Sequence, residues 1–593
     1  MATTEDKMAL IVPCVAIRGS TGISITQGPP TYEPVSLFTK DDSKVCKTMA
    51  FSPMGRYFTW VNGSSVKVVL CETWQVVAEI HRCKVQSVKF SPQDTYLMTW
   101  EPFIVSANNS QGGPNLFFWN PENGELIKCF IHKKQIDWEP QWSIDEKICG
   151  LLVNNDVVLY EESNFDDAKA FNNKMNVGKI AKFSIAPGAA PYHIVCHMPG
   201  KSGPSFGRLF RYPKLPANQP VANKSFFQDD RVDFYWNNQG TSVLLLASTE
   251  VDNTGASYYG KQTLHYLDTK GETALVTLSK EGPIHAVQWS PKQTEFIVIY
   301  GLMPSKATIY NLQCEPVFEF GTKHRNAIYY NPHGNIVILT GFGNLRGEIE
   351  LWDTVNRKLI ATSDAPDSTL LEWSPDGEHY MTATTAPRLR MSNGFKIWHY
   401  TGTLLYERPW NKQEELWEVL WQKFPSDLFK EKPIKYKAVG GIAPSQPQAS
   451  KQAYRPPSAR GKTINFKLHD DVDDPKPSES IPSKNFLKVK KKREAKKAKK
   501  EQEAALSQTQ SGNVTANGQT NSITKVSSPT TSANYDLTND PEKNKKIKKI
   551  NIKLEQISKL KEQQVMGKQL EINQLNKIKK EAELIKELEE LIL

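Results

Sequence analysis

The sequence is short of the features that mark several common classes of protein. Its eight cysteines are scattered and include no Cys-x-x-Cys pair, a usage that suits a reducing compartment better than a disulfide framework. No apolar run approaches the roughly 18–20 residues of a membrane span. The stretch Met8–Ile17 is apolar, but acidic residues precede it and Pro13 interrupts it. A signal peptide wants a basic start and a small-residue cleavage site, so this stretch reads as an early strand and the chain as cytoplasmic. No Gly-x-x-x-x-Gly-Lys-Ser/Thr run is present, which leaves no P-loop to hydrolyse a nucleotide. A Gly-x-Ser-x-Gly elbow and a His-Glu-x-x-His helix are missing too. The expectation is a protein that is not an enzyme and carries no cofactor.

What is present is unevenly divided. The 593 residues carry a net charge of +10. Residues 1–425 hold 40 Lys and Arg against 43 Asp and Glu, a net of −3. Residues 426–593 hold 34 against 21, a net of +13. All 14 Trp and all eight Cys lie in the first part. The head has the side chains of a large core, and the tail has the charge. Such asymmetry points to a polyanionic partner, a nucleic acid or a membrane surface.

The head repeats itself. An aromatic residue, then Ser or Asn, often Pro, and a turn, precede an apolar run rich in β-formers. Clear copies begin at Phe51-Ser52-Pro53, Phe90-Ser91-Pro92, Trp289-Ser290-Pro291, Tyr330-Asn331-Pro332 and Trp373-Ser374-Pro375. Weaker ones are Trp142-Ser143, Phe183-Ser184 and Trp236-Asn237, with Trp421-Gln422 a ninth. From Phe51 to Trp421 is 370 positions over eight intervals, or about 46 per repeat, the period of propeller blades. Further strands end in an aromatic–polar pair before a turn: Trp119-Asn120, Trp352-Asp353 and Trp398-His399. Trp352-Asp353 is the dipeptide of WD-type repeats. The fold expected is an all-β propeller over residues 1–425, WD-repeat-like, with nine blades preferred and eight the alternative.

Two motifs invite chemistry and do not support it. The run Gly341–Gly347 is not Gly-x-Gly-x-x-Gly and opens no helix, so it reads as a blade loop. His193, Cys196 and His197 have ligand chemistry, but on a strand Cys196 points away from the two histidines.

The tail reads as four parts. Residues 426–483, rich in Pro, Ser, Gln and Asp, form a linker. Within it Tyr454-Arg455-Pro456-Pro457 is a candidate extended peptide ligand or an ordinary spacer. Residues 484–503 carry the basic block Lys488, Lys490, Lys491, Lys492, Arg493, Lys496, Lys497, Lys499 and Lys500, which suits phosphate backbones or a localisation signal. Residues 504–540 are low in complexity and read as disordered. Residues 541–593 have helical spacing, from Ile547, Ile550, Leu554, Ile557 and Leu560 to Leu584, Ile585 and Leu588. Their first half is basic (Lys545, Lys546, Lys548, Lys549) and their second acidic. A hairpin turning near Gly567 and a coiled coil both fit.

Several long motifs resemble the eukaryotic translation initiation factor 2A family. They are Ala247-Ser248-Thr249 with Thr254–Gly260, Gly341–Gly347, Ala386-Pro387-Arg388-Leu389-Arg390 and Asn393–Gly402. The Tyr454–Pro457 box and Gly567-Lys568-Gln569-Leu570 resemble it too. The propeller is also similar to that of the b subunit of initiation factor 3. The terminal helices resemble a small-subunit-binding segment in a cofactor of the exon-junction complex. The family resemblance implies a monomeric nine-bladed propeller that directs initiator methionyl-tRNA to the 40S ribosomal subunit. It implies dependence on the codon rather than on GTP, and work on selected mRNAs. The partners expected are therefore the 40S subunit, the tRNA, mRNA and other initiation factors, with no membrane. Candidate RNA contacts are the basic block, Lys545–Lys549 and the loop cations Lys323, Arg325, Arg346, Arg388 and Arg390. The rival reading is a propeller scaffold for protein assembly with a basic localisation tail.

Overall fold

The computed structural model describes residues 11–445, apart from 106–111, most of 167–173, 176, 201–202, 215–218, 228–229 and 250–259, and scattered positions between 550 and 585. The chain divides into two units, Met1–Pro456 and Pro457–Leu593.

The first unit is a nine-bladed propeller, its strands gathered into nine antiparallel sheets. Seven sheets have four strands in chain order, as in Ile284–Trp289, Glu295–Tyr300, Ser305–Asn311 and Pro316–Lys323 of the sixth blade. The first strand of a blade lies beside the first strand of the next, around the axis. The third blade has three strands. Where its outer strand would run, Met175 makes one isolated bridge to Val157.

The core is not central. It lies in nine apolar clusters, one at each interface between blades. Strand alternation explains how one strand serves two interfaces. In Glu295–Tyr300, Phe296, Val298 and Tyr300 face the fifth blade, while Ile297 and Ile299 face the seventh. All five are fully buried. A strand covered on both faces needs an unbroken apolar run, which is what its sequence shows.

The repeated aromatic–Ser/Asn motif ends the first strand of every blade but the fourth and the ninth, where Gln422 follows Trp421. The polar residue is buried and closes the turn: Ser52 Oγ accepts from Tyr57 N at 2.9 Å and Ser91 Oγ from Tyr96 N at 2.9 Å. Ser143 Oγ does the same for Ile148 N at 3.0 Å, and Asn331 Oδ1 for Ile336 N at 3.1 Å. In the fourth blade the expected register is corrected. Phe183 lies inside the strand Lys182–Ile185, and Ile185-Ala186-Pro187 occupies the motif's position.

The ninth blade joins the ends of the unit. Leu416–Trp421 pairs with Cys14–Gly19, which pairs with Gly22–Gln27. Val15 sits opposite Trp421 and Ile17 opposite Val419, and Arg18 Nε bonds Glu418 at 2.9 Å. The early strand expected from the apolar start is part of this closure.

The described chain does not leave the propeller at Pro425. Residues 426–445, expected to begin a linker, run across the aromatic–Ser–Pro face of blades six to eight. Lys292 bonds Glu431 at 2.5 Å and Lys432 bonds Glu378 at 2.6 Å. Ile434 packs on the cluster between blades seven and eight. The Tyr436 hydroxyl donates to Asp353 Oδ2 at 2.7 Å, and Ile442 N to Leu404 O at 2.8 Å.

Candidate RNA interface

Four of the five candidate loop cations, Arg325, Arg346, Arg388 and Arg390, stand on loops at the face opposite this strap; the fifth, Lys323, is corrected to the end of the strand Pro316–Lys323, and their surroundings separate them. Arg325 follows the outer strand of the sixth blade and is only 3% exposed. Its Nη2 lies 3.0 Å from Glu350 Oε2 and donates to Phe320 O at 3.1 Å. Burial pushes its guanidinium below the usual range, against the pull of Glu350 and Glu348. The expectation of an RNA contact at Arg325 is corrected: it is an interior brace. Lys323 lies 2.8 Å from Glu348 and 2.5 Å from Glu350. Hydrogen bonds to these two carboxylates raise its ammonium above the ordinary value. It too serves the brace, though it keeps partial exposure.

Arg390 is exposed and lies 3.3 Å from Glu415. Arg346 and Arg388 are exposed and make no ion pair among the described residues.

Arg346 stands on the loop 341–347, between strands Ile336–Thr340 and Glu348–Asp353. The expected blade loop is there, and it is tightly built. Gly347 N donates to Gly341 O at 2.9 Å, and Ala365 N to Gly347 O at 2.9 Å. The Asn326 amide holds Phe342 at both ends, donating to its carbonyl at 2.9 Å and accepting from its N–H at 3.0 Å. Gly347 has φ +84°, and a Cβ there would lie 2.3 Å from Ala365 O, so only glycine fits. Arg388 and Arg390 stand on the loop 385–393 of the eighth blade. Ala386 N donates to Leu416 O at 2.7 Å and Asn393 Nδ2 to Leu389 O at 2.7 Å. The loops touch: a Cβ on Gly343 would lie 2.5 Å from Arg388 Nη2.

A cavity of about 320 Å³ opens elsewhere, lined by His132, Asp137, Glu139, Lys182, Arg231 and Asp233 among others. Asp233 takes both Lys182 and Arg231 at 2.8 Å, so its charges largely satisfy one another. Among the described residues no three His, Cys, Asp or Glu are grouped to hold a metal. In the strand His193–Met198, Cys196 packs toward the third blade, while the His197 ring stacks on Phe226 on the other face. All eight cysteines are free thiols. No helix among the described residues is long and apolar enough to cross a membrane.

The tail candidates Lys488, Lys490, Lys491, Lys492, Arg493, Lys496, Lys497, Lys499, Lys500, Lys545, Lys546, Lys548 and Lys549 lie outside the described residues. So do Tyr454, Arg455, Pro456, Pro457, Thr254–Tyr259 and Gly567–Leu570. In the second unit Ile550, Leu554, Ile557, Ser558 and Lys561 are helical, as are Glu581 and Ile585. Lys561 and Glu581 form an ion pair. Along one straight helix 20 residues would part them by about 30 Å, so this contact fits the hairpin.

A closed ring of nine antiparallel sheets defines the β-propeller class. The family model described as "Eukaryotic translation initiation factor eIF2A" matches residues 224–419. The chain is 43% identical to eukaryotic translation initiation factor 2A of Drosophila melanogaster, covering 78% of this chain and 73% of that protein. It is 36% identical to the Caenorhabditis elegans factor of the same name, covering 69% and 72%. A solved structure titled "Crystal structure of the eukaryotic initiation factor" superposes with a TM-score of 0.64 at 31% identity, covering 70% of this chain and all of that one. The chain belongs to the eukaryotic translation initiation factor 2A family, and it is a translation initiation factor.

Proposed function

We propose that this factor directs initiator methionyl-tRNA to the 40S ribosomal subunit on selected mRNAs, in a codon-dependent and GTP-independent manner. It acts in the cytoplasm as a monomer and catalyses no reaction. The observation that carries this reading is a family member built as a nine-bladed propeller joined to a tail of net +11 over residues 446–593. The lack of a P-loop sequence agrees with independence from GTP.

The two parts divide the labour. The Lys488–Lys500 block and Lys545–Lys549 gain affinity from rRNA or mRNA phosphates by releasing counterions, with no choice of sequence. The helical end docks on the ribosome. Tethering then makes propeller binding intramolecular, which raises avidity without a new contact.

Sedimentation with purified 40S subunits at two salt concentrations tests this, using the full chain, residues 1–445 and residues 446–593. The full chain and the tail co-sediment at low salt, and the tail's binding falls steeply as salt rises. Removing the tail abolishes most of the association. If none of the three co-sediments at low salt, the ribosome reading is wrong. Filter binding of initiator tRNA then separates a tRNA contact from a ribosome contact.

A further inference from the structure

We infer that the paired loops of blades seven and eight form a phosphate-backbone clamp for RNA, with Arg346 and Arg388 as its contacting residues. This deepens the initiation reading and rests on it.

Three independent observations converge on this place. The first is charge availability. Three carboxylates beside these loops are already engaged: Glu348 and Glu350 by Lys323 and Arg325, and Glu415 by Arg390. Asp364, which ends the outer strand Lys358–Asp364, and Asp367, on the crossover that follows it, form no ion pair with either arginine among the described residues. Arg346 and Arg388 thus present guanidinium groups whose fork of donors matches two phosphate oxygens.

The second is preorganisation. An arginine on a mobile loop loses backbone entropy when it binds. Here the loop 341–347 is fixed by backbone bonds, by the Asn326 amide and by Gly341 and Gly347, whose neighbours leave no room for a Cβ, and the loop 385–393 is held by Ala386 N on Leu416 O and by Asn393 Nδ2 on Leu389 O. Arg388 lies against Gly343 of the other loop, so the two loops form one surface. Rigid presentation lowers the cost of binding.

The third is the state of the opposite face. Beneath blades six to eight, residues 426–445 already occupy the turns, through Lys292–Glu431, Lys432–Glu378 and Tyr436–Asp353. The loop face of these blades is the side left open by the strap.

RNA phosphates can come from tRNA or from rRNA, and the test separates them. Full-length wild type is compared with Arg346→Glu, with the double variant Arg346→Glu/Arg388→Glu and with Lys147→Glu. Lys147 is exposed on the opposite face, so its reversal is a matched charge control. Filter binding uses initiator tRNA, sedimentation uses 40S subunits, and each is run across a salt series. The double variant binds at least one probe about tenfold or more weakly, and its log–log salt slope falls by about one per arginine lost. Lys147→Glu changes neither. Loss with tRNA alone assigns the clamp to tRNA, and loss with 40S alone to rRNA. A thermal melt checks that the variants fold, and Arg346→Lys/Arg388→Lys retains the slope through charge without reversing it. If wild type binds a probe and the double variant binds both probes with the same affinity and slope, the clamp is wrong while the initiation reading stands. If wild type binds neither, the initiation reading itself fails.

Discussion

Arg325, Arg346 and Arg388 carry the same group in similar loops, and depth alone separates their roles. A guanidinium in the interior is held by its carboxylate, and removing one partner leaves the other costly to bury. Arg325→Ala should therefore destabilise the fold by about 3 kcal/mol, although Lys323 still neutralises part of the Glu350 charge. Arg346→Ala should stay within about 0.5 kcal/mol of wild type, as surface changes do. Urea denaturation of the two variants checks this, and equal losses would contradict the assignment of Arg325 as a brace. The sequence placed all five cations in loops and could not grade their depth. Glu350 lies on a strand 25 positions beyond Arg325, and only the fold brings it beneath the loop. The buried serines were easier to read. Ser52, Ser91 and Ser143 recur because each hydroxyl accepts from the N–H five residues on and caps the same turn, and a repeated physical need leaves a repeated letter.

At the scale of elements, legibility followed the strength of local chemistry. Blades whose first strand ends in an aromatic with Ser-Pro stood out. The fourth blade did not, because Ile185-Ala186-Pro187 fills the same place with an aliphatic and no hydroxyl. The neighbouring Phe183 drew the register two residues early. The strap was missed for a different reason. Residues 426–445 have the composition of a linker, and nothing in Lys432-Pro433-Ile434-Lys435-Tyr436 signals a partner that lies 83 positions back at Asp353. Its bonds to Asp353, Leu404 and Glu378 and the packing of the half-buried Ile434 indicate that it stabilises blades seven and eight. A chain ending at residue 425 should melt about 3 °C below one ending at 445. Tyr436→Phe in the longer chain should reproduce part of that loss of stability, about 1 kcal/mol for one hydrogen bond. Identical melting midpoints for the two chain lengths would show that the strap lies on the propeller without supporting it.

For the whole molecule, the count of nine depends in the sequence on Trp421-Gln422 and in the structure on where that tryptophan pairs. Trp421 lies opposite Val15, so the ninth blade takes one strand from residues 416–421 and two from residues 14–27. No stretch of sequence contains this blade, and a reading along the chain sees only half of it at each end. The arrangement has a consequence for stability. Val15, Ile17, Ala16, Ile23 and Ile25 complete the two interfaces that flank the closure. Without them Trp421, Val419 and the eighth-blade side chains Met381 and Phe395 face water. A ring has no free interface to sacrifice, because opening it at one blade exposes apolar surface on both neighbours. A chain lacking residues 1–28 should therefore lose its single cooperative unfolding transition, measured by circular dichroism and calorimetry. A synthetic peptide of residues 11–30, added in trans, should restore it, since the missing strands bind by pairing and burial rather than by a covalent link. A truncated chain that melts like the full propeller would mean that the remaining eight blades close on themselves and that the ninth is dispensable.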